Sequence, residues 1–147
     1  MILIDVNVLV YAHKEQTLKH IEYKSWLEKI IAAEVPYGMS EFILSSFLRI
    51  VTHPRIFDPP SSIDTALTFA HEVLLQPNCV RITPGERHFS IFTSLLKKCG
   101  ARGNLVPDAY LAALAIESGC EFITTDSDYA RFTGLKWRYP LEKKEQK

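Results

Sequence analysis

Five acidic residues stand beside short apolar segments, where carboxylates are uncommon. Asp5 interrupts the run MILIDVNVLVY, Glu41 follows VPYGMS, Asp108 follows a proline before an apolar segment, and Asp126 and Asp128 follow EFITT. A buried carboxylate costs free energy unless a hydrogen bond or a cation compensates it. At about 4 Å and an effective dielectric constant of about 20, two like charges repel by about 4 kcal/mol. A cluster of these acids would therefore take up protons or bind a cation.

The ligand chemistry of such a cluster favours a hard divalent ion. Carboxylate oxygens without histidine or cysteine suit Mg²⁺ or Mn²⁺ rather than zinc or copper. Each acid alone has an ordinary explanation, because an acidic residue in the first turn of a helix interacts favourably with the helix dipole. The four acids together are more informative than any one of them, because Asp5, Glu41, Asp108 and Asp126 each stand next to an apolar segment.

Short strands alternating with helices must position these acids. Strands are predicted at 2–4, 35–39, 79–82 and 121–125, with a fifth candidate at 136–139. Apolar residues at helical spacing and capping signals predict helices near 23–31, 41–51, 63–74, 84–99 and 107–118. This alternation is typical of an α/β fold with a parallel sheet covered on both faces. The carboxyl ends of parallel strands share one edge, where ligands bind, so we expect the acids to meet there.

One helix start has a recognisable local signal. In TPGE, Thr83 as N-cap, Pro84 as first helical residue and Glu86 as third helical residue form a capping box. The pattern predicts a helix that begins at Pro84, runs to about Cys99 and ends at Gly100.

Length and composition limit the class of protein. The chain has 147 residues with 47% hydrophobic content, which suits one globular domain, here assigned to residues 1–140, followed by a polar tail at 141–147. Basic and acidic residues balance at 17 each, so net charge indicates neither a nucleic-acid nor a membrane partner. Three widely spaced cysteines without a metal pattern and the lack of a long apolar run predict a cytoplasmic protein with no membrane segment.

The ordered motifs resemble a known family. LIDVNVLVY, SEF, PDAYLAALAIESG and FITTDSDYARF, in this order along nearly the whole chain, are similar to those of the PIN-domain ribonucleases. Within that family they look like the VapC-type toxins of bacterial toxin–antitoxin modules. The resemblance implies a PIN-like three-layer α/β/α sandwich with a central, mostly parallel sheet of four to five short strands.

The same resemblance assigns roles to the acids. It implies that Asp5, Glu41, Asp108 and Asp126 are the catalytic, metal-binding acids, with Asp128 as a fifth or supporting acid. Two polar residues would act behind them: Asn7 would orient Asp5 by hydrogen bonding, and Thr124 would support the last acid. One departure lies at 106–107, where this chain has valine and proline before the third acid and many relatives have a glycine or another small residue.

The activity that the resemblance implies is metal-dependent endoribonuclease chemistry. Mg²⁺ or Mn²⁺ would activate a water for in-line attack on phosphorus, leaving 5′-phosphate and 3′-hydroxyl ends. The expected partners are an RNA substrate, a cognate antitoxin and a second copy of the chain. The apolar helix faces at 23–31 and 42–51 exceed what a small sheet needs, which makes one of them a candidate dimer or antitoxin surface. Basic residues beside the acids are candidate RNA contacts: Arg49, Arg55, Lys97, Lys98 and Arg102.

Three other readings compete with this one. A catalytically inactive PIN fold that only binds RNA or protein is disfavoured by intact acids at all four positions. A haloacid-dehalogenase-like phosphatase needs an aspartate two residues after the first, where this chain has Asn7. A metal-free ribonuclease using His13 and His20 would leave the acids unexplained. Nucleotide-binding folds that need a glycine-rich loop after the first strand are excluded, because no such loop is present.

Overall fold

Five short strands form one parallel sheet in the computed structural model, which describes residues 1–141. The strands are β1 (Ile2–Ile4), β2 (Tyr37–Met39), β3 (Cys79–Arg81), β4 (Glu121–Ile123) and β5 (Trp137–Arg138). They lie in the order β3-β2-β1-β4-β5, and every neighbouring pair is parallel. The predicted α/β class is confirmed, and the fifth strand candidate is part of the sheet.

Six α-helices connect these strands. They are α1 (Val6–His13), α2 (His20–Ala32), α3 (Glu41–Val51), α4 (Ile63–Leu74), α5 (His88–Cys99) and α6 (Leu105–Ser118), followed by a 3-10 helix at Ser127–Arg131. Connections between parallel strands are almost always right-handed. The crossovers through α1 to α4 move towards β3, whereas the crossover through α5 and α6 returns to β4. The two groups of helices therefore cover opposite faces of the sheet.

The order of the strands changes direction at β1, which pairs with β2 on one side and with β4 on the other. Leu3 lies opposite Gly38 on one side and Phe122 on the other. Just beyond the strand, the backbone amide of Asp5 donates to the carbonyl of Ile123 at 2.9 Å. A change of strand order leaves a crevice at the carboxyl ends of the two strands, where ligands of open α/β sheets bind.

The apolar faces of α2 and α3 pack in or against the core of the domain. Ile43, Phe47 and Val51 of α3 are fully buried in the core, and Trp26 and Ile30 of α2 pack against it. The buried side of α3 therefore belongs to the core and α2 also contributes to it, while the expectation that one of the faces at 23–31 and 42–51 serves as a dimer or antitoxin surface stays a prediction. The sheet and its connections need this apolar surface because the strands alone have only two or three residues each.

The predicted start of α5 at Pro84 is also wrong. The helix begins at His88, and Arg87 at its N-cap makes no side-chain capping bond. The carboxylate of Glu117, on α6, instead accepts the backbone amides of Gly85 at 2.6 Å and Arg87 at 2.9 Å. A distant carboxylate thus satisfies amide donors ahead of α5. The predicted end of the helix at Gly100 is confirmed by its left-handed backbone, with φ of 61°.

Helix α6 begins at Leu105 rather than beside Pro107, so Asp108 lies within its first turn. Residues 142–147 of the predicted polar tail lie outside the described residues. Across 1–141, every helix is too short or too polar to cross a bilayer.

Candidate active site

A cavity of about 240 Å³ opens at the change of strand order. Three of the predicted acids line it: Asp5 after β1, Asp108 on α6 and Asp126 after β4. We call this cavity the acid cleft. Its remaining walls come from α1, α3, α6 and the 3-10 helix, through Val6, Asn7, Phe42, Ser46, Arg49, Ile50, Asn104, Pro107, Leu111 and Tyr129.

Asp5 is the most buried of the three acids, with 4% of its surface exposed. Its Oδ1 accepts the backbone amide of Val6 at 2.7 Å, which caps α1, and its Oδ2 accepts the hydroxyl of Thr124 at 2.7 Å. Burial raises the pKa of Asp5 to about 6, the two hydrogen bonds oppose this rise, and the carboxylates of Asp108 and Asp126 add to it. The first strand therefore delivers a fixed carboxylate that is costly to ionise.

Thr124 connects the first acid to the last. Besides donating to Asp5, its Oγ1 accepts the backbone amide of Asp126 at 3.0 Å. The carboxylate of Asp126 in turn accepts the backbone amide of Asp128 at 2.8 Å and so caps the 3-10 helix. One buried hydroxyl thus sets the separation of the segments that follow β1 and β4.

Asp108 approaches the acid cleft from α6. Its pKa is raised, first by partial burial and then by the nearby carboxylate of Asp126, while a hydrogen bond from Tyr129 opposes the rise. The hydroxyl of Tyr129 donates to Asp108 Oδ1 at 3.2 Å. Tyr129 could not be recognised as a site residue from the sequence, because a tyrosine is normally a core or surface residue and only its place three residues after Asp126 marks it.

Glu41 and Asp128 do not line the acid cleft. The side chain of Glu41 is 72% exposed, and its Oε1 lies 3.9 Å from Nη1 of Arg81. Asp128 is exposed and lies 3.6 Å from Arg131. The expectation that four or five carboxylates converge is therefore corrected to three. The reason for Glu41 is helical geometry: Phe42 faces the cleft, and one residue step turns the side chain by about 100° around the axis.

The two predicted supporting residues differ in their contacts. Thr124 bonds to both segments, as described above. Asn7 lines the acid cleft, but the hydrogen-bond donors to the Asp5 carboxylate within residues 1–141 are Val6 and Thr124. The expectation that Asn7 orients Asp5 by hydrogen bonding is wrong for this arrangement, because the capping amide and the threonine hydroxyl are the groups that orient the carboxylate.

The predicted RNA contacts are also distributed unequally. Arg49 reaches the acid cleft from α3, with Phe42 and Ser46 on the same face of the helix. Arg55 is exposed in the segment after α3, Lys97 and Lys98 are exposed in the last turn of α5, and Arg102 is exposed before α6. The last four side chains do not line the cleft, so only Arg49 could contact a group bound next to the acids.

The donor chemistry of the acid cleft fits a hard divalent ion. Its three carboxylates contribute only oxygen ligands, and their mutual repulsion raises the pKa of two of them beyond the effect of burial. A cation would relieve that repulsion. Within residues 1–141 no three acidic, histidine or cysteine side chains form a group that could hold a metal ion as they stand. Binding would therefore require at least one of the side chains at the cleft to reorient.

Known proteins are similar to this chain along nearly its whole length. The family model of the PIN domain matches residues 2–135. The chain is 39% identical to VapC ribonuclease Mb2897 of Mycobacterium bovis over 142 residues, which are 97% of each protein. It is 38% identical to ribonuclease VapC25 of Mycobacterium tuberculosis over 136 residues, which are 92% of this chain and 96% of that protein.

Solved structures agree on the fold. VapBC2 from Rickettsia felis, solved bound to a DNA fragment of its promoter, gives a TM-score of 0.67 at 17% identity and covers 95% of this chain and 98% of that one. VapC20 of Mycobacterium tuberculosis, a sarcin-ricin loop cleaving toxin, gives 0.64 at 12% identity over 92% and 98% of the two chains. With the profile match and the full-length identity to VapC ribonucleases, these likenesses show that the chain belongs to the PIN domain family.

Proposed function

We propose that the chain is a metal-dependent endoribonuclease that acts in the cytoplasm as the toxin of a toxin–antitoxin pair. The observation that carries this proposal is the meeting of Asp5, Asp108 and Asp126 in one cleft at the change of strand order. The names of full-length relatives as VapC ribonucleases support RNA as the substrate. The placement of Arg49 in the wall of the same cleft supports a negatively charged substrate.

The residues of the acid cleft would have different roles in this reaction. Asp5, Asp108 and Asp126 would hold Mg²⁺ or Mn²⁺, with Glu41 as a fourth acid by family resemblance. A divalent ion, when bound, supplies activation of a water and stabilisation of charge on the phosphate. Thr124 holds the first acid against the segment that carries the last one. Arg49 would neutralise a phosphate next to the reacting one, and the products would carry 5′-phosphate and 3′-hydroxyl ends.

The proposed partners are a cognate antitoxin and a second copy of the chain. The structural neighbours include a toxin–antitoxin complex from Klebsiella pneumoniae, which supports an antitoxin for this chain as well. Large apolar side chains that remain exposed, including Leu18 just before α2, Ile21 on α2 and Phe89 on α5, are available for such contacts.

Substitution of the acids tests the nuclease proposal. Asp5→Asn and Asp126→Asn should each abolish Mg²⁺- or Mn²⁺-dependent cleavage of a labelled RNA while the chain stays folded by circular dichroism. Asp64→Asn is the matched control, because Asp64 is an exposed acid in the first turn of α4, outside the cleft. The 5′ ends of the products should accept ligation without prior phosphorylation.

A second measurement separates a nuclease from an inactive binding module. Because an ion binds the folded state, the melting temperature of the wild-type chain should rise with Mn²⁺ concentration, and that of Asp5→Asn should rise less. Weak cleavage that is equal in the wild type and in both acid variants would identify contamination. That result, together with a melting temperature unaffected by Mn²⁺, would favour the inactive module.

A further inference from the structure

Tyr129 occupies a fixed place beside the acid cleft. Its side chain is only 3% exposed. The ring contacts Phe122 of β4 with a centroid distance of 4.7 Å and Phe132 with a centroid distance of 5.7 Å. Tightly packed aromatic rings have little rotational freedom, so the hydroxyl at the end of this ring has a defined position.

That hydroxyl connects two elements across the cleft. It projects from the 3-10 helix and donates to Oδ1 of Asp108, on α6, at 3.2 Å. A phenol has one proton to donate, and an ionised carboxylate can only accept. The bond therefore engages one oxygen of Asp108 and leaves the other available to the cleft.

Asp108 depends on this contact more than Asp5 depends on either of its two contacts. Asp5 accepts from a backbone amide and from Thr124, and Asp126 accepts from the amide of Asp128. Within residues 1–141, the hydroxyl of Tyr129 is the hydrogen-bond donor to Asp108. A carboxylate without a second donor can adopt other rotamers at little cost once the first donor is removed.

We propose that Tyr129 is a positioning residue that orients the carboxylate of Asp108 towards a divalent ion in the acid cleft. This inference rests on the proposed metal-dependent function. Hydrogen-bond partners behind metal ligands typically contribute about 10- to 100-fold to metal affinity or activity, and Tyr129 should contribute within that range. The effect reaches the ion only through Asp108.

Tyr129→Phe removes the hydroxyl and keeps the ring. We expect the Mn²⁺ dissociation constant, measured from the electron paramagnetic resonance signal of free Mn²⁺, to rise about 10-fold or more. Cleavage at low Mn²⁺ should fall in parallel and recover at saturating Mn²⁺. Tyr110→Phe is the control, because Tyr110 lies on α6 like Asp108 and its ring packs on His88 and Phe92. The hydroxyl of Tyr110 makes no hydrogen bond within residues 1–141. This control should bind Mn²⁺ as the wild type does.

A double-mutant cycle distinguishes positioning from general support of the fold. Because Tyr129 acts through Asp108, adding Tyr129→Phe to Asp108→Asn should not weaken Mn²⁺ binding further. Equal Mn²⁺ affinity of the wild type and Tyr129→Phe, or a full additive loss in the double variant, would overturn the assignment. A wild-type chain that binds no Mn²⁺ would overturn the proposed metal dependence itself, and the role of Tyr129 with it.

Discussion

The hydroxyl of Thr124 lies 2.7 Å from the carboxylate of Asp5 and accepts the amide of Asp126 at 3.0 Å. Asp5 comes directly after β1 and Asp126 lies shortly beyond β4, so these two bonds connect acids at the carboxyl ends of two neighbouring strands. Thr124 is fully buried, and water cannot replace its hydroxyl without a local rearrangement. The spacing of the acid cleft therefore depends on one side chain that is not itself an acid.

Removal of this hydroxyl should affect both stability and cleavage. Thr124→Val keeps the shape of the side chain but leaves Asp5 Oδ2 without a donor and the amide of Asp126 without an acceptor. We expect a loss of about 1–3 kcal/mol in the free energy of unfolding, measured in urea. RNA cleavage should fall about 10- to 100-fold. Thr124→Ser retains the hydroxyl and should lose much less of both, and equal behaviour of the two variants would argue against the hydrogen bonds.

Ionisation of Asp5 should make the free energy of unfolding depend on pH when EDTA removes divalent ions. Burial raises the pKa of Asp5 to about 6 from its ordinary value of 3.8, so the folded state binds this proton more tightly than the unfolded state. The contribution to stability is then fully present below about pH 4 and is lost as the pH rises through 6. The difference of about 2 pKa units corresponds to about 3 kcal/mol at most.

The amide of Asp5→Asn has no such proton to lose. Urea unfolding in EDTA between pH 4 and 8 should show the wild type losing stability relative to this variant as the pH rises. At pH 8 we expect Asp5→Asn to be the more stable of the two. Parallel stability profiles of the two proteins would show that Asp5 ionises in the folded state without a penalty.

The sequence was sufficient for features that are local to one strand end. Asp5 follows β1 directly and Asp126 lies three residues beyond the end of β4, and in a parallel sheet residues just past the carboxyl ends of strands lie at the same edge. Their shared cleft could therefore be predicted before the strand order was known. The same reasoning was wrong for Glu41, because the residue after Ser40 begins a helix, and the rotation of that helix decides which side chain faces the cleft.

Contacts between residues that are far apart in the chain could not be predicted from the sequence. Glu117 accepts amides 30 and 32 residues away, whereas the capping-box pattern at Thr83 offered a local partner that the chain does not use. Tyr129 likewise contacts an acid 21 residues away through its hydroxyl. Composition and spacing describe which groups could bond, but the packing of α5 and the 3-10 helix against α6 decides which of them do.

Arg49 should carry more of the substrate interaction than the other predicted basic residues. Because Arg49 lines the acid cleft and Arg55 does not, Arg49→Gln should slow cleavage at low RNA concentration, and Arg55→Gln should have a smaller effect. Loss of one phosphate contact should also reduce the dependence of log rate on log salt concentration by about 1. The measurement is cleavage between 50 and about 300 mM KCl. Equal effects of the two substitutions would place the substrate outside the cleft.

The metal-binding role that the family resemblance implies for Glu41 can be tested separately from the ion pair that its side chain makes. Its ion pair with Arg81 is exposed and 3.9 Å long, so breaking it should change the free energy of unfolding by less than about 1 kcal/mol. If Glu41 moves to the acid cleft when an ion binds, Glu41→Gln should lower Mn²⁺-dependent cleavage at least about 10-fold, because loss of even a hydrogen-bond partner behind a metal ligand typically costs that much. Arg81→Gln removes the same ion pair and keeps the carboxylate, and it should therefore retain cleavage. We expect this contrast in parallel assays of cleavage and urea unfolding. Full activity of Glu41→Gln would leave a centre of three acids, Asp5, Asp108 and Asp126, because the exposed carboxylate would then serve only its pair with Arg81.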